Sequence, residues 1–70
     1  MRLPHLSGSE LISLLSRRGF TAVSQKGSHV KLRNGERVVI VPMHREVATG
    51  TLRSILRQAG LTPDELIELL

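Results

Sequence analysis

Seventy residues allow one domain and a small core, since a chain this short buries only about 60% of the surface its unfolded form exposes. Cysteine is absent, which excludes a disulfide scaffold and a thiolate metal site. Ten Lys and Arg, eight of them Arg, against six acids give a net charge of +4, a balance that favours a polyanionic partner.

Phe20 is the only aromatic residue. Recognition by stacking bases on aromatic platforms is therefore closed to this chain, and nucleic acid would be bound through charge, hydrogen bonds and shape. No apolar run approaches the length of a membrane span, and Met1–Leu6 lacks the pattern of a secretory leader, so a cytoplasmic protein without membrane contact is expected.

In chain order, Met1–Leu6 reads as a loose tail, with residues 7–70 forming the single folded domain. Ser7-Gly8-Ser9-Glu10 matches a capping box, and apolar residues at Leu11, Ile12, Leu14 and Leu15 predict a helix over Ser9–Arg18, closed by Gly19. Phe20–Gln25 reads as a strand, Lys26-Gly27 as a tight turn and Ser28–Arg33 as a second strand. Asn34-Gly35 reads as a type I′ hairpin loop, followed by a third strand over Glu36–Val41. Pro42 ends that strand. A second helix opens at Thr49 or Gly50 and carries Leu52, Ile55, Leu56 and Ala59 as its apolar stripe. Thr62-Pro63-Asp64-Glu65 then starts a third helix that runs to the C-terminus.

The fold class expected is α+β, a three-stranded antiparallel sheet with its helices packed on one face. With Asn34-Gly35 as the loop, Leu32 opposes Arg37, Val30 opposes Val39 and His29 opposes Ile40. Side chains alternate, so Val30, Leu32, Val39 and Val41 point to the core. His29, Lys31, Arg33, Val38 and Ile40 share the open face. Strict alternation also places Phe20 on that open face, and a bend at Gly19 is expected to turn it inward.

His29 is thus the histidine with chemical potential. RNA can be cleaved when its 2′-OH attacks the adjacent phosphate, given a proton carrier and cations to stabilise the charge. Imidazole titrates near working pH, and Lys26, Lys31 and Arg33 are near enough in sequence and face to supply the charge. The bland reading of the same ring is a surface histidine that touches phosphate or water. His5 lies in the expected tail and has no assigned role. His44 lies between the third strand and second helix, where it could carry protons, bind phosphate or shape the loop. A Ser-His-Asp arrangement is not visible, because the single Asp, Asp64, belongs to the last helix start. The acids do not cluster as a metal site, although His44 with Glu46 leaves that door slightly open. On the second helix, Arg53 and Arg57, one turn apart, could line a phosphate track, and the Gly50-Thr51 helix start could bind a phosphate through free backbone N–H groups; the alternative is a solvated helix face.

Together Glu10-Leu11, Gly19-Phe20, Gln25-Lys26-Gly27-Ser28-His29, Val41-Pro42 with His44, and Gly50-Thr51-Leu52-Arg53-Ser54-Ile55-Leu56-Arg57-Gln58-Ala59-Gly60-Leu61 resemble the HicA toxin family. The likeness spans about Ser7–Leu70. It implies a fold like that of double-stranded-RNA-binding domains (dsRBD-like, α-β-β-β-α with an added helix) and a metal-independent mRNA interferase, an endoribonuclease that needs no cofactor. It also implies that His29, in Gly27-Ser28-His29, is the catalytic histidine, and that a HicB-type antitoxin covers the active site. The free chain is expected to be a monomer acting on single-stranded mRNA. Departures from the family pattern are the six leading residues, Leu66 where many members carry Phe, and Lys31 where many carry a bulky apolar residue. The rival reading is a non-catalytic dsRBD-like RNA-binding module. A third is an adaptor that uses its open sheet face to bind another protein.

Overall fold

The computed structural model describes residues 3–70. Its order is α1 (Gly8–Ser16), β1 (Thr21–Lys26), β2 (His29–Asn34), β3 (Arg37–Pro42), α2 (Thr49–Ala59) and α3 (Pro63–Glu68). The strands form one antiparallel sheet in the order β1-β2-β3, as the α+β reading requires. One face of the sheet, through Val30, Leu32, Val39 and Val41, packs into a core with Leu11, Leu14 and Leu15 of α1 and Leu52, Ile55 and Leu56 of α2. The other face is open.

Both hairpins differ from the sequence reading in their loops. The first loop is Gly27-Ser28, with Lys26 opposite His29, and the second is Gly35-Glu36, with Asn34 opposite Arg37. Gly27 and Gly35 have φ of 60° and 61°, and no other kind of residue has positive φ among those described. A type I′ turn would need positive φ at Asn34 as well, whereas Gly as the first of two loop residues suits the type II′ pattern. Asn34 is engaged elsewhere: its Nδ2 donates to the Arg18 carbonyl at 3.1 Å, tying the end of α1 to the sheet. The resulting register pairs Val30 with Val41 and His29 with Pro42. It differs from the expected one by a two-residue slip, which leaves every side chain on its expected face.

Phe20 does point inward and is buried, but a second device accounts for it. A bulge lies between Ala22 and Ser24, adding Val23 to β1 without a partner. The extra residue reverses the alternation, so Ser24 and Lys26 share the open face while Ala22 and Phe20 take the core side.

The leading segment is not a loose tail over its described part. Leu3 and Leu6 are buried. The Leu6 carbonyl accepts from the Val47 N–H at 2.8 Å, and the Gly8 N–H donates to the His44 carbonyl at 2.9 Å. Residues 3–7 therefore run along the β3–α2 connector and close the core at that end. Met1 and Arg2 lie outside the described residues.

The helix ends also move. α1 stops at Ser16 with Arg17 as its cap, so Arg17 and Arg18 fall beyond it. Arg17 donates to the Leu69 carbonyl, and Arg18 meets Glu65 at 3.2 Å, so both bind α1 to α3. α3 ends at Glu68 rather than at the C-terminus, and only Leu66 of its apolar set is fully buried. Thr62 and Glu65 form the expected capping box. The Glu65 carboxyl accepts from the Thr62 N–H at 2.8 Å. That backbone bond, then the Thr62 hydroxyl and Arg18, hold its carboxyl below its ordinary value of 4.5. A lowered carboxylate stabilises the fold above its unfolded value, and the contribution is lost as pH falls through the folded one. Unfolding midpoints followed from about pH 5 downward should therefore fall less steeply in Glu65→Gln than in the native chain.

Candidate active face

The open face is assembled by register. Lys26 stands opposite His29, and opposed side chains on one face lie about 5 Å apart at Cβ. His29, Lys31 and Arg33 follow along β2 on the same face, about 7 Å from one to the next. Beside them lie Ser24 and Thr21 from β1 and Ile40 and Val38 from β3. His29, Lys26 and Arg33 are exposed, and Lys31 is half-buried. Lys31 sits between Ser24 and Ile40, so its methylene stem can cover the exposed Ile40 while the ammonium reaches water.

The ends of the elements meet around the histidine. The Ser28 carbonyl accepts from the Met43 N–H at 2.6 Å, which joins the Gly27-Ser28 loop to the connector. Pro42, the register partner of His29, is buried. His44 follows two residues later, exposed, with its carbonyl held by Gly8. α2 runs back along β3, since Gln58 Oε1 accepts from the Ile40 N–H at 3.4 Å and Arg37 donates to the Gln58 carbonyl at 3.3 Å. The start of α2 therefore lies at the same end of the sheet as His29. Its cap residue is Ala48, which offers no side-chain acceptor, so the first N–H groups of α2 receive no side-chain cap.

Of the residues singled out from the sequence, the fold draws together Lys26, Gly27, Ser28, His29 and Lys31, with Arg33 farther along the same stripe. Thr51 shares a flank of α2 with Gln58, seven residues on, and so lies toward the β3 edge. Arg53 does not join this group. It lies on the flank turned away from Gln58, where it lines a groove with Arg57 and the start of α3. Glu46 is placed 3.3 Å from His5. Among the described residues no three His, Asp or Glu side chains gather to hold a metal ion.

The basic residues divide into two groups. Arg17, Arg18 and Arg37 are spent on tertiary contacts. Lys26, Lys31, Arg33, Arg45, Arg53 and Arg57 are in no ion pair among the described residues, whose pairs are His5–Glu46 and Arg18–Glu65. Sequence reasoning had no signal for Gly8, whose closeness to Pro42 and Met43 fixes the connector beside the histidine.

A small α-β-β-β-α-α domain with a basic, uncovered sheet face and an exposed histidine at the head of its middle strand is the class of protein this arrangement defines. The chain matches the family model described as HicA toxin of bacterial toxin-antitoxin over residues 8–61. It belongs to the HicA toxin family, and so is the toxin member of a toxin-antitoxin pair. No curated protein matches it. No helix among the described residues is long and apolar enough to cross a membrane.

Proposed function

We propose that this toxin is an endoribonuclease that cleaves single-stranded mRNA and so blocks translation, with His29 as the proton carrier. The carrying observation is the placement of His29: an exposed imidazole directly opposite Lys26 and two residues from Lys31 on an uncovered face. A histidine serving only the core would have been buried.

The reaction is in-line attack by a ribose 2′ oxygen on the neighbouring phosphorus. His29 takes the 2′-hydroxyl proton as the new P–O bond forms. Lys26 and Lys31 stabilise the additional charge on the phosphoryl oxygens, and Arg33 holds the strand farther along the stripe. The bond from phosphorus to the 5′ oxygen breaks. That oxygen leaves with a proton drawn from water or from His44 in the adjoining connector. The products are a 2′,3′-cyclic phosphate and a 5′-hydroxyl end, and water opens the ring to a 3′-phosphate. Imidazole and cations suffice for every step. A HicB-type antitoxin covering this face would exclude RNA by occupying the same surface.

The test is incubation of the purified chain with single-stranded RNA in excess chelator. Cleavage to cyclic-phosphate or 3′-phosphate ends is expected. Binding without cutting would favour the RNA-binding module instead. His44→Gln separates the two proton sources: a loss of about tenfold or more in rate assigns the leaving-group proton to His44, and an unchanged rate assigns it to water.

A further inference from the structure

The loop that precedes the histidine is held at two points. The Ser28 carbonyl accepts from the Met43 N–H at 2.6 Å, and the Gly27 carbonyl accepts from Gln25 Nε2 at 3.1 Å. The second bond fixes an orientation. Lys26 shares the open face with His29, so Gln25, one residue earlier, takes the opposite side of the sheet with its register partner Val30, which lies in the core. The Gly27 carbonyl is thereby held toward the core side. The peptide joining Gly27 to Ser28 is trans, so its N–H points the other way. The Ser28 N–H therefore faces the side of the sheet that carries Lys26 and His29. Among the described residues it has no backbone acceptor.

A fixed donor without an acceptor, beside a proton carrier, suits a place where negative charge develops. We propose that the Ser28 N–H donates to a non-bridging oxygen of the phosphate under attack, and that Gln25 is the positioning residue that aims it. The proposal rests on the nuclease reading and adds a neutral donor to the lysines of that site. As the 2′ oxygen bonds to phosphorus, further negative charge gathers on the phosphoryl oxygens. The hydrogen bond from Ser28 strengthens at that moment, and no proton leaves the amide. A donor already aimed needs no rearrangement as the charge forms, whereas lysine ammonium groups ride on flexible stems.

The test has two parts, both on the full chain. In the first, the chain labelled with ¹⁵N is titrated with a single-stranded DNA oligonucleotide, which presents phosphates but has no 2′-hydroxyl and cannot be cut. The Ser28 amide proton is expected to move downfield saturably, and to move much less in Gln25→Glu, whose carboxylate cannot donate to the Gly27 carbonyl. In the second, RNA cleavage is compared among variants. Gln25→Glu and Gln25→Ala should each lower kcat by about tenfold with KM and Tm little changed, since Gln25 is exposed. A synthetic chain with an ester oxygen in place of the Ser28 N–H should lose about 10²–10³ in kcat. That loss should be nearly independent of salt, unlike the loss in Lys26→Ala. The proposal is overturned if the Ser28 amide stays still while those of Lys26 and His29 respond, or if the ester chain cuts as fast as the native one. A fall in Tm that accounts for the lost rate in both Gln25 variants would make Gln25 merely structural and overturn its positioning role. A native chain whose Ser28 amide responds but which cuts no RNA would remove the nuclease reading and leave Ser28 as a phosphate donor aimed by Gln25.

Discussion

His29→Ala is expected to lose RNA cleavage by a factor of about 10²–10⁴, the usual contribution of a positioned acid or base. The same substitution should leave the fold intact. His29 is exposed, and exposed positions without special contacts change stability by only about 0.5 kcal/mol in either direction. Activity and stability are thus separable at this residue, and an unchanged melting curve beside a lost activity identifies chemistry rather than unfolding. Expression of the native chain should arrest growth, and the arrest should vanish with His29→Ala. Equal cleavage by the two proteins would remove the imidazole from the mechanism. Lys26→Ala should retain the proton carrier but lose electrostatic stabilisation, giving a smaller drop that grows as salt is lowered, because screening then hides less of the missing charge.

Gly8→Ala is expected to produce the largest loss of stability for a single added methyl group. Gly8 is the first residue of α1, where alanine would ordinarily favour a helix. Here a Cβ would overlap the Pro42 carbonyl oxygen and stand 2.9 Å from the Met43 Cα. Both neighbours are backbone, so no side chain can swing aside. Overpacking of this kind costs about 1–3 kcal/mol. In a domain of this size each kcal/mol lowers Tm by about 4–8 °C. The strain falls on the connector whose Met43 N–H holds the Gly27-Ser28 loop and whose Pro42 pairs with His29. Cleavage should therefore fall in Gly8→Ala even well below its melting temperature. Gly50→Ala is the matched control, since nothing lies within 4 Å of a Cβ there and α2 should gain slightly. A melting temperature unchanged in Gly8→Ala would show that the contact yields freely.

Element order was legible because each helix carries its own start signal and each strand its alternation. Ser7 with Glu10 and Thr62 with Glu65 are local capping boxes that need no tertiary partner to be read. Alternation placed Val30, Leu32, Val39 and Val41 on one face and His29, Lys31 and Arg33 on the other. That division survived a misread hairpin loop because the slip was even. The membership of Lys26 in the same face followed once the first loop was set at Gly27-Ser28. The family motifs then pointed to His29 among three histidines.

Other features depend on which segments meet in space, and no local pattern carries that. Leu3 and Leu6 show no helical or strand period, yet they are buried because the leading segment runs beside the connector. The inward turn of Phe20 depends on a bulge at Val23, which an alternating pattern cannot announce. From the sequence, Arg53 and Arg57 could line a phosphate track or form a solvated helix face, and packing of Gln58 against the β3 edge turns them to the flank away from the basic strand. The amino-acid sequence by itself determined the elements, the two faces of the sheet and the exposed histidine, because periodicity and capping act over a few neighbouring residues. Only the tertiary structure decided that Lys26 stands opposite that histidine and that Arg53 and Arg57 do not join it, because this depends on helix rotation and strand register, set by packing between segments far apart in the chain.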